Sequence, residues 1–186
     1  MKDRTLRKPK IAGKRVRYKS PWIHLIEKSV LYPGESKSRK YVSVKAREYC
    51  TVLAVTPKNK VVLVRQYRPI VENFTLELPS GCIDGKESPM AAAVRELTEE
   101  TGFRPTGRME FLGALYPDSG RLENRMWSYF ARSVVPARGA SHREKGVETV
   151  LCTWTEVKEM IREGRILHGP HLGVIALALL SGRLRL

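Results

Sequence analysis

The chain has 186 residues, 42% of them apolar, which is enough for one buried core and excludes a wholly disordered polymer. Lys and Arg number 34 against 19 Asp and Glu, a net charge of +15 that favours anionic partners and says nothing about fold. The longest apolar run, Leu172–Leu180, has nine residues, short of the ~20 a membrane span needs, and no apolar stretch follows the basic N-terminus as in a secretory signal.

Residues 1–19 hold nine Lys or Arg and one acid, Asp3. They read as a basic, flexible tail. A nucleic-acid-binding arm is the competing reading, but no aromatic interleaves the bases before Tyr18. From Trp22 to Tyr32 the chain is rich in β-branched and aromatic residues and predicts a strand, closed by the turn Pro33-Gly34. Tyr41–Val44 is its return. Thr51–Val55 and Val61–Val64 flank Pro57–Lys60 as a hairpin, and Thr75–Leu78 is a strand ending at Pro79. Residues 89–101 predict a helix, with Pro89 in its first turn and Gly102 just past its end. Strands follow at 109–115, 126–133 and 149–154, then helices at 155–164, capped by Thr155, and 172–181. Strands with one central and two late helices make a mixed α/β domain. Cys50, Cys82 and Cys152 are odd in number and far apart, which fits a reducing compartment, the cytoplasm, better than a disulfide framework or a zinc site. His24, His142, His168 and His171 have no neighbouring ligands in sequence and read as structural or solvent-facing.

The informative stretch is Gly81–Phe103, which carries five acids against two bases in an otherwise basic chain. Glu96, Glu99 and Glu100 stand at i, i+3 and i+4 and share one helix face, where like charges repel. They also lie toward the C-terminal half of the helix, where the dipole disfavours anions. A hard divalent cation such as Mg²⁺ would compensate them. Arg95 can reach back toward Glu87.

This segment resembles the Nudix box, G-x5-E-x7-R-E-U-x-E-E-x-G-U with U bulky and apolar. Gly81, Glu87, Arg95, Glu96, Leu97, Glu99, Glu100, Gly102 and Phe103 match its nine defined positions. The approach Arg65-Gln-Tyr-Arg68-Pro…Leu76-Glu77-Leu-Pro79-Ser-Gly81 is similar to that of ADP-ribose pyrophosphatases and related nucleotide-sugar hydrolases. So are Ser20-Pro21-Trp22 and Pro117, which stands fifteen residues past Gly102. The resemblance covers roughly residues 20–182. It implies an α/β/α sandwich with a mixed sheet, a loop–helix–loop box and an N-terminal strand extension. The domains expected are a tail at 1–19, a strand region at 20–48 that packs against a second copy in a homodimer, and a Nudix domain at 49–186.

The implied activity is Mg²⁺- or Mn²⁺-dependent hydrolysis of ADP-ribose or another nucleoside diphosphate sugar. Glu96, Glu100 and Glu99 are the implied metal ligands, with the Ser80 carbonyl as a further oxygen. Arg95 belongs to the catalytic group as an orienting residue, through an ion pair with Glu87. Relatives take the water-activating base from a later loop, here 137–148, where Glu144 is the choice, Glu148 the second candidate and Glu99 the next. Substrate contacts are expected from Trp22, Arg68, Glu77 and Arg121. Trp22 is an adenine platform or a core tryptophan, and Arg68 is a phosphate or base contact or a surface arginine. Where many relatives have Ser-x-Gly-x-Ser-x-Glu-Arg, this chain has Asn124 in place of the Glu, with Glu123 before it, so the sugar is left open. GDP-mannose or another NDP-sugar is the enzymatic alternative. A nucleic-acid-binding protein on the same scaffold is the alternative of another class, but such a module would be expected to lose box carboxylates, and this chain keeps every one.

Overall fold

The computed structural model describes residues 7–137 and 145–184. The described residues fall into two compact units, one within Met1–Arg47 and Tyr116–Asn124, the other within Glu48–Leu115 and Arg125–Leu186.

The smaller unit is an antiparallel three-stranded sheet of β1 (Lys10–Lys19), β2 (Ile23–Leu31) and β3 (Arg39–Ala46). The expectation of a tail over 1–19 is corrected for residues 10–19. Tandem cations do not prevent a strand at a sheet edge, where lysines discourage further pairing. Here β1 is solvated along its length, and Arg17 pairs with Glu27 of β2 at 2.6 Å. Segment 116–124 adds to this unit through a parallel bridge between Val44 and Leu122. Glu123 seals it, accepting from Ser43 at 2.5 Å and pairing with Lys28 at 2.6 Å. Those partners hold its carboxyl below the usual carboxylate range.

The larger unit is built on a mixed sheet of β4 (Tyr49–Val55), β5 (Val61–Arg68), β9 (Glu110–Leu115), β10 (Met126–Ala131) and β12 (Val147–Cys152), in the order β12-β5-β4-β10-β9. Only β4 and β10 run parallel among these pairs. β6 (Asn73–Glu77) adds to β5, and β7 (Ser80–Cys82) adds to β4. β8 (Phe103–Pro105) and β11 (Val134–Pro136) form a separate ribbon. The strand β4 is apolar on both sides because both faces of the sheet are covered. Cys50, Val52 and Ala54 pack with Ala92, Ala93 and Leu97 of α1 (Pro89–Thr101). Leu53 and Val55 face Val157 and Met160 of α2 (Trp154–Arg162) and Val174 and Ala178 of α3 (Gly169–Leu180). This alternation makes the α/β/α sandwich the sequence implied.

Helix α1 has the expected bounds. Ser88 caps it by accepting from the Ala91 amide, Pro89 opens it, and Gly102 closes it at φ 71°, a left-handed position suited to glycine. Helix α2 starts earlier than expected, because Thr153 rather than Thr155 is the cap. Thr153 has Glu156 three residues on, and the two bond reciprocally; Thr155 has Lys158 there and no such partner. No helix among the described residues is long and apolar enough to cross a membrane.

Candidate active site

The site grows from one crossover. β6 pairs with β5 up to Glu77; the chain then moves over to β4, with Ser80 opposite Thr51. That shift delivers Ser80 and Gly81 to the open face of α1. Ser80 donates its amide to Glu100 Oε2 at 2.9 Å, and Glu100 is 4% exposed. Glu96 lies directly over Gly81. A Cβ at residue 81 would stand 2.1–2.3 Å from the Glu96 carboxylate. Only glycine lets the two approach, and this accounts physically for the first residue of the box.

Arg95 ties the acids together. Its guanidinium reaches Glu87 at 2.7 Å, Glu96 at 2.8 Å, Glu99 at 3.0 Å and the Cys82 carbonyl at 3.0 Å. The expected Arg95–Glu87 pair is present, and the bonds to Glu96 and Glu99 extend it. The Arg95 hydrogen bond, first, and the Asp84 amide hold the Glu87 carboxyl below its ordinary value. Among the described residues, Asp84, Glu87, Glu96, Glu99 and Glu100 gather around Arg95 and Ser80, and every donor they offer is a hard oxygen. The residues therefore fit a Mg²⁺-like ion by the chemistry of their donors. The neighbouring thiol takes no part: burial pushes Cys50 up to about 12, so it stays protonated and donates to the Gly81 carbonyl at 3.5 Å.

Arg68 and Glu77, both expected to contact substrate, meet each other. Glu77 is 2% exposed and accepts Arg68 Nε and Nη2 at 2.9 and 2.7 Å, and Thr75 Oγ1 at 2.6 Å. Its role is to hold Arg68, whose side chain is still partly open to solvent. Burial raises the Glu77 carboxyl, but the Arg68 and Thr75 hydrogen bonds and the Arg68 charge outweigh it and bring the group to about 2. A carboxyl lowered by folding confers stability above its unfolded value, and that stability is lost as pH falls toward the folded one. Here it is complete above about pH 4.5 and lost toward pH 2. Arg68→Met is expected to destabilise the fold by about 2 kcal/mol at pH 8, because it strands a buried carboxylate. The deficit should shrink at pH 5 as Glu77 takes up a proton. Urea unfolding at the two pH values checks this; a deficit independent of pH would contradict it.

Trp22 and Arg121 belong to the smaller unit. Trp22 is 71% exposed, so it is not a core tryptophan. Arg121 is exposed and pairs with Asp118 at 3.3 Å. Glu144 lies outside the described residues. Glu148 is on β12, exposed, and pairs with Arg65 at 3.3 Å.

Sequence reasoning missed the company around His168 and His171. With Glu77 they bring one ligand atom each within 4.8 Å of one another, the one such three-residue convergence among the described residues. The tautomer argues against a metal there. His171 Nδ1 accepts the Leu78 amide at 3.1 Å, so the neutral ring carries its proton on Nε2 and has no lone pair to offer. Burial, then the neighbouring His168, pushes His171 down to about 3, so the ring is neutral at working pH. The signal in the sequence is slight: two histidines at i, i+3 opening an otherwise apolar helix.

Residues 46–172 match the NUDIX domain family. An ADP-ribose pyrophosphatase of Bacillus subtilis (strain 168) is 26% identical over 168 residues, 89% of this chain and 86% of the relative. A methanol dehydrogenase activator of Bacillus methanolicus is 32% identical over 117 residues, 62% of this chain and 63% of the relative. Among solved structures, one described as an ADP compounds hydrolase superposes with a TM-score of 0.83 at 21% identity, over 98% of this chain and 99% of that one.

Proposed function

The chain belongs to the Nudix family and is a Nudix hydrolase, and from that premise we propose that it cleaves the pyrophosphate of ADP-ribose or a related nucleoside diphosphate sugar to a nucleoside monophosphate and a sugar phosphate. The observation that carries this is Glu100, buried on α1 and bonded to the Ser80 amide, beside Glu96 seated on Gly81. The B. subtilis relative, matched along most of its length, supports the substrate class. The test is a panel of nucleoside diphosphate sugars with Mg²⁺, products resolved by chromatography. AMP and ribose 5-phosphate from ADP-ribose are expected; no cleavage of any member would overturn the reading.

Glu96, Glu99, Glu100 and the Ser80 carbonyl would hold Mg²⁺ or Mn²⁺, which when bound neutralises phosphoryl oxygens and makes water more acidic. Arg95 restrains three of the acids at once, so the carboxylates keep their orientation when their charges repel. Arg68, braced by Glu77, offers a guanidinium of fixed direction to phosphate or base. Trp22 and Arg121 serve the base and the distal sugar. Glu144 takes the proton from water. Glu148 is instead engaged on β12 by an ion pair with Arg65, which supports that choice.

Glu144→Gln is expected to lower kcat by about 10²–10⁴-fold with KM nearly unchanged, the range of a lost general base. Glu148→Gln should have a far smaller effect. Steady-state kinetics on the pair decides: the reverse order moves the base to Glu148, and two fully active variants move it to Glu99. The protein acts as a homodimer through residues 20–48, a state that light scattering after size exclusion reads directly. The three free cysteines support a cytoplasmic setting. Nucleic acid is not the substrate in this reading, although β1 is basic.

A further inference from the structure

Between β6 and β7 the chain changes strand partner. Glu77 is the last residue paired to β5, and Ser80 is the first paired to β4. Leu78 and Pro79 span the gap. Pro79 has no N–H, so Leu78 carries the one amide proton of the bridge. Leu78 is 1% exposed, and a buried amide needs an acceptor. That acceptor comes from a side chain: His171 Nδ1, in the first turn of α3, at 3.1 Å.

Three elements then fix the bridge from three sides. His171 holds Leu78 from α3. Val52 N and Thr51 Oγ1 hold the Pro79 carbonyl from β4, at 2.9 and 3.3 Å. Glu100 holds the Ser80 amide from α1 at 2.9 Å. The β4 and α1 contacts act at Pro79 and Ser80; the α3 contact fixes where the bridge begins. His171 is 1% exposed, so its ring is enclosed where it meets Leu78.

We propose that His171 is a positioning residue for the metal site: it holds Leu78 so that the Ser80 carbonyl and the Glu100 carboxylate stay aimed at one cation. The inference rests on the reading of Ser80 and Glu100 as metal ligands. It requires the Nε2–H tautomer, since Nδ1 must keep its lone pair for Leu78. Nε2 is buried and has no hydrogen-bond partner among the described residues.

The test compares Mn²⁺ binding, followed by electron paramagnetic resonance, in the wild-type protein, His171→Met and His171→Asn. Methionine fills the space without a strong acceptor. Asparagine hangs an oxygen from Cγ where histidine has Nδ1, and can accept from Leu78. His171→Met is expected to bind Mn²⁺ about 10–100-fold more weakly, as when a group orienting a metal ligand is lost. Its kcat should fall more than its KM rises, and His171→Asn should restore most of both. If His171→Met binds Mn²⁺ like the wild type, whatever its melting temperature, or if His171→Asn is no better than His171→Met, the proposal is overturned while the metal reading stands. A wild-type protein that binds no Mn²⁺ overturns both. Should His171→Met fail to fold, ¹⁵N NMR of the wild type at pH 7 decides. An Nε2–H ring with a slowly exchanging Leu78 amide supports the proposal; an Nδ1–H ring overturns it.

Discussion

Glu100→Gln is expected to lower nucleotide-sugar turnover by about 10³-fold or more, exceeding the roughly 10²–10³ lost with a single neutral oxyanion-hole donor. The substitution keeps the side chain's length and leaves an oxygen for the Ser80 amide, so the crossover from β6 to β7 is held as before. What it removes is the negative charge of the proposed metal ligand, at a position only 4% exposed, where solvent does little to weaken charge interactions. The loss should therefore fall on kcat/KM with the unfolding midpoint nearly unmoved, and added Mn²⁺ should recover only part of it. A chelator should abolish wild-type turnover, and Mg²⁺ should restore it. An unimpaired Glu100→Gln enzyme would remove Glu100 from the metal site.

Gly81→Ala is the second large effect, and its signature is a split between activity and stability. Gly81 lies outside the left-handed region, so alanine can take its backbone without strain. The new methyl would overlap the Glu96 carboxylate, with atoms 2.1–2.3 Å apart. That carboxylate is the end of a flexible side chain and can swing away at little cost to the fold. It then leaves the position that Gly81 and Arg95 give it. Turnover should fall at least 10²-fold, near the lower bound for a lost electrostatic contact, while thermal unfolding shifts by no more than a few degrees. A variant with full turnover would show that Glu96 need not sit where it does. A variant that fails to fold would show that the contact is structural.

Much of the larger unit was legible because its signals are local. Ser88, Pro89 and Gly102 bound α1 through their own backbone preferences, and β4 and β5 announce themselves as apolar runs about a turn. The box glutamates are legible by spacing alone, since one helix carries all three. What escaped depends on partners distant in sequence. β1 is a strand because β2 offers it a ladder and Glu27 offers Arg17 a charge, and neither fact is visible within residues 10–19. Glu77 is bonded to both Arg68 and Thr75, a network that only the fold brings into view. His171 sits 93 residues from the amide it receives, so no local pattern could connect them. The start of α2 was legible in principle, since Thr153 with Glu156 is the capping pair that Thr155 lacks.

In the proposed site Glu96, Glu99, Glu100 and the Ser80 carbonyl bind a divalent cation. A crystal soaked in Mn²⁺, with anomalous data collected near the manganese edge, tests it without reference to substrate or turnover. An anomalous peak is expected within coordinating distance of the Glu96 and Glu100 carboxylates and the Ser80 carbonyl, and none among Glu77, His168 and His171. A peak at the histidine pair with none at the helix would contradict both the site assignment and the tautomer given to His171.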